Sequence, residues 1–231
     1  MPPSDPVAAY CNDVLSGRVL AGQPVRLACE RHLRDLETGP QRGLHWDLDA
    51  ALRIFRFFSN VLRLAEGDFA GKPFILQPWQ QFIVGSLFGW KRADGFRRFR
   101  TAYNEVGKGS GKTPIAAGIG LYMLAPDGEP GAECYAAATR REQANICFQD
   151  AVKMVEASAG LSAHITKSGK KAVYNLLHRP TNSFFRPVSS EHKGLDGKRV
   201  HYAAVDELHE HPTPQVVQKM RAGTKGRRVS A

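Results

Sequence analysis

The chain has 231 residues, of which 42% are hydrophobic and 23% are charged, a composition typical of a folded globular protein. Its net charge of +10 favours a polyanionic partner such as nucleic acid, because basic side chains that neutralise phosphates release counterions. The apolar runs are too short to span a bilayer and the four cysteines form no Cys-x-x-Cys pair, which indicates a cytoplasmic protein without a membrane segment, a zinc site or a disulfide framework.

The first 70 residues are predicted to form a helical N-terminal segment. Apolar side chains recur there at spacings of three and four residues, which is the pattern of helices that bury one face. Glycine and proline separate these repeats and mark turns, as at Gly39-Pro40 and Gly43. The predicted helices cover residues 8–15, 25–36 and 48–64.

Residues 71–231 are predicted to form a second domain in which strands and helices alternate. Such alternation is typical of an α/β fold, here with a mainly parallel central sheet flanked by crossover helices. The run at residues 200–205 is almost continuously apolar, as expected of a strand that is buried on both faces. The other predicted strands cover residues 98–106, 132–138, 172–177 and 183–188, and the predicted helices cover residues 114–124 and 140–157.

A glycine-rich stretch between the first predicted strand and the following helix has the composition of a phosphate-binding loop. Glycines let backbone amides turn toward a triphosphate, which then lies at the positive end of the next helix. In such a loop Lys112 would reach the terminal phosphates, and the Thr113 hydroxyl would bind Mg²⁺. The match is imperfect, because the usual pattern has glycine where Val106 stands. The stretch is Gly107-Lys108-Gly109-Ser110-Gly111-Lys112-Thr113.

Two carboxylates at the end of the apolar run supply the second half of a site for ATP hydrolysis. Asp206 is predicted to hold Mg²⁺ through water, and Glu207 to orient the attacking water as the general base. Neither motif is specific alone, but together the loop and the acidic pair predict an ATP hydrolase. His209 and His211 follow closely, yet their spacing does not match a helical zinc-binding motif.

At this point the sequence resembles a known family, the ATPase domain of phage large terminase subunits, and in particular the group typified by phage HK97. The resemblance covers residues 10–225 and rests on motifs that occur in the same order. The family has a basic residue three positions before the glycine of Gly-Lys-Thr, and Lys108 stands at that position. The other matching segments are Leu76-Gln77-Pro78-Trp79-Gln80, Phe88-Gly89-Trp90, Asp94-Gly95-Phe96-Arg97-Arg98, residues 136–144 and Asp206-Glu207-Leu208-His209.

The resemblance implies roles that the spacing of residues does not assign. Gln80, with Trp79 beside it, would contact adenine, since a side-chain amide offers both a donor and an acceptor to the base. Lys108 would sense or stabilise the γ-phosphate, although lysine lacks the planar fork of the arginine that is frequent there in the family. The implied cofactors are ATP and Mg²⁺.

The resemblance also implies partners and an assembly. The expected partners are double-stranded DNA, a small terminase subunit and the portal of a procapsid, and packaging would be carried out by a ring of identical subunits. Such rings commonly use an arginine from a neighbouring subunit, but Asp196 stands where related terminases have it. The candidates for this trans-acting basic residue are Lys193, Lys198 and Arg199, with Arg140 and Arg141 as further candidates.

Members of the family continue past the acidic pair with a coupling motif and a nuclease domain, so a chain that ends at Ala231 is expected to lack nuclease activity. Two alternatives stay open. A superfamily 2-like helicase shares a glutamine motif, a phosphate loop and an acidic pair, although Leu208 and His209 depart from its usual motif. The other alternative is a module that binds nucleotide, DNA or portal without turnover.

Overall fold

The chain folds into two compact units. In the computed structural model the first unit takes the described parts of Met1–Phe57 and Ile75–Ala102, and the second takes those of Phe58–Phe74 and Tyr103–Ala231. These units differ from the division at residue 70, because residues 75–102 pack with the N-terminal helices. The described residues are 4–64, 66–138, 141–169, 172–189 and 197–227, with only the backbone of residues 141–143. No helix within them is long and apolar enough to cross a bilayer.

The first unit consists of helices and a short antiparallel ladder. Its helices begin at capping residues: the Asp5 carboxylate accepts hydrogen bonds from Val7 N at 2.9 Å and Ala8 N at 3.2 Å, and Asp47 accepts one from Ala50 N at 2.9 Å. The elements of this unit are α1 (Pro6–Leu15), α2 (Gln23–Thr38), β1 (Leu44–Trp46), α3 (Leu48–Arg56), α4 (Pro78–Gly89) and β2 (Trp90–Arg92), with β1 and β2 paired.

A buried carboxylate holds the segment that follows β2. Asp35 of α2 is fully buried and forms ion pairs with Arg42 and with Arg98, whose Nη1 lies 2.7 Å from Asp35 Oδ2. Burial alone would raise the pKa of Asp35, but the hydrogen bonds from Arg98 and Arg42 outweigh burial and lower the pKa. Arg98 N also donates to Trp90 O at 2.9 Å. Arg98 is thus bound within the first unit, and the described residues 98–106 form no strand, so that prediction was wrong.

The second unit is an α/β fold with a mixed sheet, whose described strands lie in the order β4-β5-β6-β3-β7. The three neighbouring strands β6, β3 and β7 are parallel, whereas β4 and β5 pair antiparallel. The α/β class and the helices that precede and flank the sheet are therefore confirmed. The elements are α5 (Lys112–Leu124), β3 (Glu133–Ala138), α6 (Arg141–Glu156), α7 (Ala159–His164), β4 (Ile165–Ser168), β5 (Asn175–His178), β6 (Ser183–Ser189), β7 (Val200–Val205) and α8 (Gln215–Gly223).

Helices cover both faces of this sheet. On one face α5 and α6 pack against β3 and β6, where the Phe148 and Phe185 rings lie 5.7 Å apart. On the other face Val216 and Met220 of α8 join a buried cluster with Val200 of β7. The core strands are therefore shielded from water, and the carboxyl ends of the parallel strands meet at one edge, the usual position of a binding site in such sheets.

Most predicted elements of the chain are confirmed, with shifts of a few residues at their ends. The strand predicted at residues 200–205 coincides with β7, and the helix predicted at residues 114–124 begins two residues earlier as α5. The helix predicted at residues 48–64 is shorter, because α3 ends at Arg56 and Phe57–Val61 form a π-helical turn.

Candidate functional site

The glycine-rich loop before α5 has the backbone conformation that its sequence predicts. Gly109 and Gly111 adopt positive φ angles of 80° and 76°, in the left-handed region that residues with a Cβ rarely occupy. Ser110 closes the loop, since its hydroxyl donates to Gly107 O at 2.6 Å. Because α5 begins at Lys112, directly after Gly111, the loop leads straight into the N-terminal end of a helix.

The N-terminal end of α5 is open to an anion. Its first turn contains no acidic residue, and its N-cap residue, Gly111, has no side chain that could cap the N–H groups. Such N–H groups carry a partial positive charge that favours a phosphate at this end of a helix. Pro114 lacks an N–H group, but its fixed φ suits the first turn.

The predicted acidic pair lies at the carboxyl end of β7, next to the loop. Asp206 N donates to Ala137 O of β3 at 3.2 Å, which extends the parallel pairing beyond β7. Thr113 Oγ1 donates to Asp206 Oδ2 at 3.2 Å. The structure therefore brings a hydroxyl and a carboxylate together, and both are oxygen ligands of the kind that Mg²⁺ prefers. In the described part of the chain, this site included, no group of three or more His, Cys, Asp or Glu side chains is placed to hold a metal ion.

Lys112 and Glu207 form an ion pair across the site. Lys112 Nζ lies 2.8 Å from Glu207 Oε1, and the two side chains are 36% and 34% exposed. The hydrogen bond between them lowers the pKa of Glu207 and raises the pKa of Lys112. The charge of the exposed Lys108 also lowers the pKa of Glu207. Both members of the pair are therefore charged at neutral pH, but solvent screens them, so the pair adds little to stability.

Glu207 has an unusual backbone conformation. Its φ and ψ angles are 47° and 53°, in the left-handed region, and its N–H donates to Asp206 Oδ1 at 2.9 Å. His209 Nδ1 lies 3.5 Å from Glu207 Oε2. This turn, rather than the strand itself, directs the Glu207 carboxylate toward Lys112.

The two residues predicted to contact adenine lie in the first unit. Gln80 is buried in the first turn of α4, where its Oε1 accepts a hydrogen bond from Gln77 N at 2.9 Å as part of a capping box. Trp79 is half-buried and packs against the cluster of Tyr10 and Cys11. These contacts account for both side chains structurally, and the contact with adenine stays a prediction.

Two candidates for the trans-acting basic residue lie at the far end of β7 from the acidic pair. Arg199 N donates to Glu133 Oε2 at 2.9 Å, and Lys198 Nζ lies 4.9 Å from the centre of the Tyr135 ring. The strand between them and Asp206 spans roughly 20 Å at the usual rise per residue. Lys193, Arg140 and the side chain of Arg141 lie outside the described residues.

Helix α6 supplies polar side chains that the sequence patterns did not indicate as part of a groove. Asn145, Gln149 and Asp150 line a groove of about 240 Å³. Residues four apart lie on one face of a helix, so the spacing of Asn145 and Gln149 was visible in the sequence. A polar helix face has the same pattern whether it meets solvent or a ligand, and for that reason the groove could not be predicted.

A glycine-rich loop at the start of a helix, with an acidic pair at the carboxyl end of a parallel strand, is the arrangement found in phosphate-loop NTPase domains. The family model of the terminase large subunit ATPase domain matches residues 78–229. The chain therefore belongs to this family, as its sequence motifs predict.

Individual relatives agree with this assignment. The chain is 31% identical over 166 residues to the terminase large subunit of Enterobacteria phage HK97, a match that covers 71% of this chain and 31% of the relative. It also resembles the crystal structure of the HK97 bacteriophage large terminase, with a TM-score of 0.65 and 23% identity over 78% of this chain and 36% of that chain. At this identity the structural likeness shows the fold alone. The chain thus spans about a third of the length of these relatives.

Proposed function

We propose that the chain is the ATPase motor domain of a phage large terminase, which hydrolyses ATP with Mg²⁺ to move double-stranded DNA into a procapsid. One observation carries this proposal: two segments far apart in sequence converge, with Lys112 Nζ 2.8 Å from Glu207 Oε1 and Thr113 Oγ1 3.2 Å from Asp206 Oδ2. Membership of the terminase ATPase-domain family supports the same conclusion.

Thr113 and Asp206 would hold the magnesium ion. The Thr113 hydroxyl would bind it directly and Asp206 through water, with phosphate oxygens and further waters as the other ligands. Bound there, Mg²⁺ would neutralise the charge that develops on the β- and γ-phosphates during hydrolysis.

Lys112 changes partner when the nucleotide binds. Its ammonium group contacts Glu207, but the terminal phosphates carry more negative charge than one carboxylate and lie within reach of the loop. The N–H groups of the loop residues Gly107, Lys108, Gly109, Ser110, Gly111, Lys112 and Thr113 bind the same phosphates.

Glu207 is released by this exchange and becomes the general base. Its carboxylate orients a water molecule for attack on the γ-phosphorus and accepts a proton from it, as the bond to the β-phosphate oxygen breaks and ADP leaves. Lys108 lies on the exposed part of the loop, where its charge stabilises the γ-phosphate. Gln80, with Trp79 beside it, would contact adenine. Gln80 Oε1 accepts a hydrogen bond from Gln77 N, and on binding of the base it would either keep this bond or exchange it for one from adenine.

The proposed partners are double-stranded DNA, the small terminase subunit and the portal of the procapsid, in the cytoplasm of the bacterial host. A ring of subunits would place a basic residue of one copy at the site of the next. Lys198 and Arg199 fit donation to a neighbour better than to their own site, since β7 separates them from Asp206 and Glu207. Lys193 is the third candidate for this role.

Two substitutions test the assignment of the site. Lys112→Ala should abolish binding of a fluorescent ATP analogue, because the phosphates lose their main side-chain contact. Glu207→Gln should keep that binding while phosphate release falls by about a hundredfold or more, the usual effect of losing a general base. Both assays are run with and without duplex DNA.

Glu210→Gln provides the matched control, because it makes the same chemical change at an exposed position three residues away. It should leave binding and phosphate release unchanged. A Glu207→Gln variant that hydrolyses ATP normally would show that Glu207 is not the base. Nucleotide binding without turnover in the unmodified chain would favour the alternative of a non-hydrolysing module.

A further inference from the structure

A buried hydrogen bond joins the start of β7 to the turn that follows α5. His201 Nε2 lies 2.8 Å from Asp127 Oδ2, and the two side chains are 0% and 11% exposed. Because a carboxylate oxygen can only accept, Nε2 donates this bond. The other ring nitrogen, Nδ1, has no hydrogen-bond partner among the described residues. The bond to Asp127 is therefore the one hydrogen bond that holds the imidazole ring in the interior.

The candidate site lies at the opposite ends of the same two elements. Thr113 is in the first turn of α5, and Asp206 directly follows β7. Because α5 has 13 residues and is about 20 Å long, Asp127 is remote from the site. Between the two ends, Tyr202 Oη donates to Ala116 O at 2.8 Å. The helix and the strand are thus joined at three levels, the last of which is the bond from Thr113 to Asp206.

His201 is the extra residue of a β-bulge in β7. Glu133 of β3 pairs with Val200, but the next residue of β3, Cys134, pairs with Tyr202. His201 is left between these two pairs. Bulges are uncommon between parallel strands, and they change the direction in which the following side chains point. A buried histidine without a hydrogen bond would be unfavourable, so the bond to Asp127 stabilises the bulge.

The bulge determines which face of the sheet carries Asp206. In a regular strand Val200, Tyr202 and Asp206 would share one face, because alternate residues point the same way. Val200 instead packs with α8 on one face, whereas Tyr202 contacts Ala116 of α5 on the other. A shift of one residue in register moves every following side chain to the opposite face. Without the bulge, Asp206 would therefore point away from Thr113.

We propose that His201 and Asp127 are positioning residues for the hydrolysis of ATP. Their hydrogen bond holds the bulge, and the bulge turns Asp206 toward Thr113, where the two oxygens would bind Mg²⁺. The pair acts through the register of β7 and contacts neither the nucleotide nor the metal ion. The inference rests on the proposed function for its effect on hydrolysis, whereas the register itself is a property of the fold.

A chemical cross-link between positions 113 and 206 measures the register without any nucleotide. Thr113→Cys and Asp206→Cys are combined with Cys147→Ala, because Cys147 Sγ lies 4.0 Å from Thr113 O. Dibromobimane becomes fluorescent when it bridges two nearby thiols, and it should do so in this variant. Adding His201→Leu, which keeps an apolar side chain but removes the donor, should lower the yield about tenfold, the effect of one buried hydrogen bond. Adding His201→Gln, which retains a donor, should restore most of the yield.

The dependence of hydrolysis on Mg²⁺ gives a second measurement, made in the chain with its own Thr113 and Asp206. His201→Leu should raise the Mg²⁺ concentration for half-maximal phosphate release roughly tenfold to a hundredfold, as expected when a group that orients a metal ligand is lost. Binding of ATP without Mg²⁺ should not change, because the loop at residues 107–113 is intact. His201→Gln should need nearly the same Mg²⁺ concentration as the unmodified chain.

Leu161→Ala is the control for a general loss of stability. Leu161 is buried in α7, which packs beside β4, and β4 and β7 form opposite edges of the described sheet. Its truncation leaves a cavity that destabilises the fold. This variant should lower the midpoint of urea unfolding, while the cross-link yield and the Mg²⁺ dependence stay unchanged.

Three outcomes would overturn the proposal. The first is a cross-link yield that His201→Leu does not lower. The second is a lowered yield that His201→Gln fails to restore, since the bulk of the ring would then hold the bulge. The third is an equal loss of Mg²⁺ dependence in Leu161→Ala, which would indicate instability alone. Absence of ATP hydrolysis by the unmodified chain would instead refute the proposed function, and the cross-link would still confirm or overturn the role of the pair in the register.

Discussion

At the scale of single residues, Glu207 combines a strained backbone with a charged side chain. A left-handed conformation costs a residue with a Cβ about 1 to 2 kcal/mol, whereas glycine adopts it freely. The described residues include only one other non-glycine residue with a positive φ, Asn182. Strain of this kind persists where the surrounding contacts hold it in place, and it is frequent at functional sites. The backbone conformation at this position favours glycine, yet the residue there is a glutamate whose carboxylate belongs to the candidate site.

Replacing Glu207 by glycine and by alanine separates the strain from the chemistry. Both variants lose the carboxylate and the ion pair with Lys112, so both should lose ATP turnover. Glu207→Gly should be the more stable of the two by about 1 kcal/mol, because alanine keeps the strained conformation. Urea unfolding followed by circular dichroism measures the difference, and equal stability of the two variants would show that the turn is not strained.

The chemistry of the candidate site could be predicted from single residues, whereas its contacts could not. Lys112, Thr113, Asp206 and Glu207 belong to residue types that phosphate and magnesium chemistry requires, and they follow recognisable local patterns. The ion pair between Lys112 and Glu207 depends on a backbone turn that no sequence pattern indicated. The polar face of α6 was unpredictable for a similar reason, since its neighbours come from distant parts of the chain.

At the scale of elements, the apolar pattern of the sequence predicted the buried strands well. It failed for a segment whose conformation depends on one long-range contact. β7 was predicted correctly because a short apolar run between polar residues is typical of a strand buried on both faces. The segment at residues 98–106 has an equally plausible strand pattern, but Arg98 is bound to the buried Asp35. Tyr103 of the same segment is 72% exposed. In this segment the ion pair between Arg98 and Asp35 therefore outweighs the local propensity to form a strand.

Helix α5 offers a test of how tightly the elements of the second unit pack. A Cβ at Gly118 would lie 2.6 Å from the Phe58 ring and 2.9 Å from a Leu62 methyl carbon, and both residues are fully buried. Gly118→Ala should therefore destabilise the fold by about 1 to 3 kcal/mol, since overpacking outweighs the better helix propensity of alanine.

Gly160→Ala is the matched control for this substitution. Gly160 lies in α7 at an exposed position, and apart from the helix backbone and the adjoining residues the nearest atom to an added Cβ would be Ser158 Oγ at 4.0 Å. The same chemical change should raise stability there by up to about 1 kcal/mol, because nothing opposes the gain in helix propensity. Thermal unfolding measures the change in stability of both variants relative to the unmodified chain. A Gly118→Ala variant that is more stable than the unmodified chain would mean that α5 is packed more loosely than the structure indicates.

At the scale of the whole molecule, the α/β class could be predicted from the sequence, but which residues form each of the two units could not. Alternating strand and helix patterns are local, so they indicated the class directly. The return of residues 75–102 to the N-terminal helices is a long-range packing event without a sequence pattern of its own. The net charge of +10 is likewise a property of the whole chain, and it bears on the proposed DNA partner rather than on the fold.

Binding of the chain to duplex DNA should weaken steeply as salt concentration rises. If about four phosphates are neutralised, the affinity should fall roughly a hundredfold between about 50 and 200 mM salt, since each neutralised phosphate releases counterions. Duplexes of unrelated sequence should bind equally, because phosphate contacts carry no sequence information. Thr113→Ala is the matched control, as it alters the proposed magnesium site without changing the charge and should give the same salt dependence. Fluorescence anisotropy measures both properties, and an affinity that is independent of salt would show that the basic charge of the chain does not serve DNA binding.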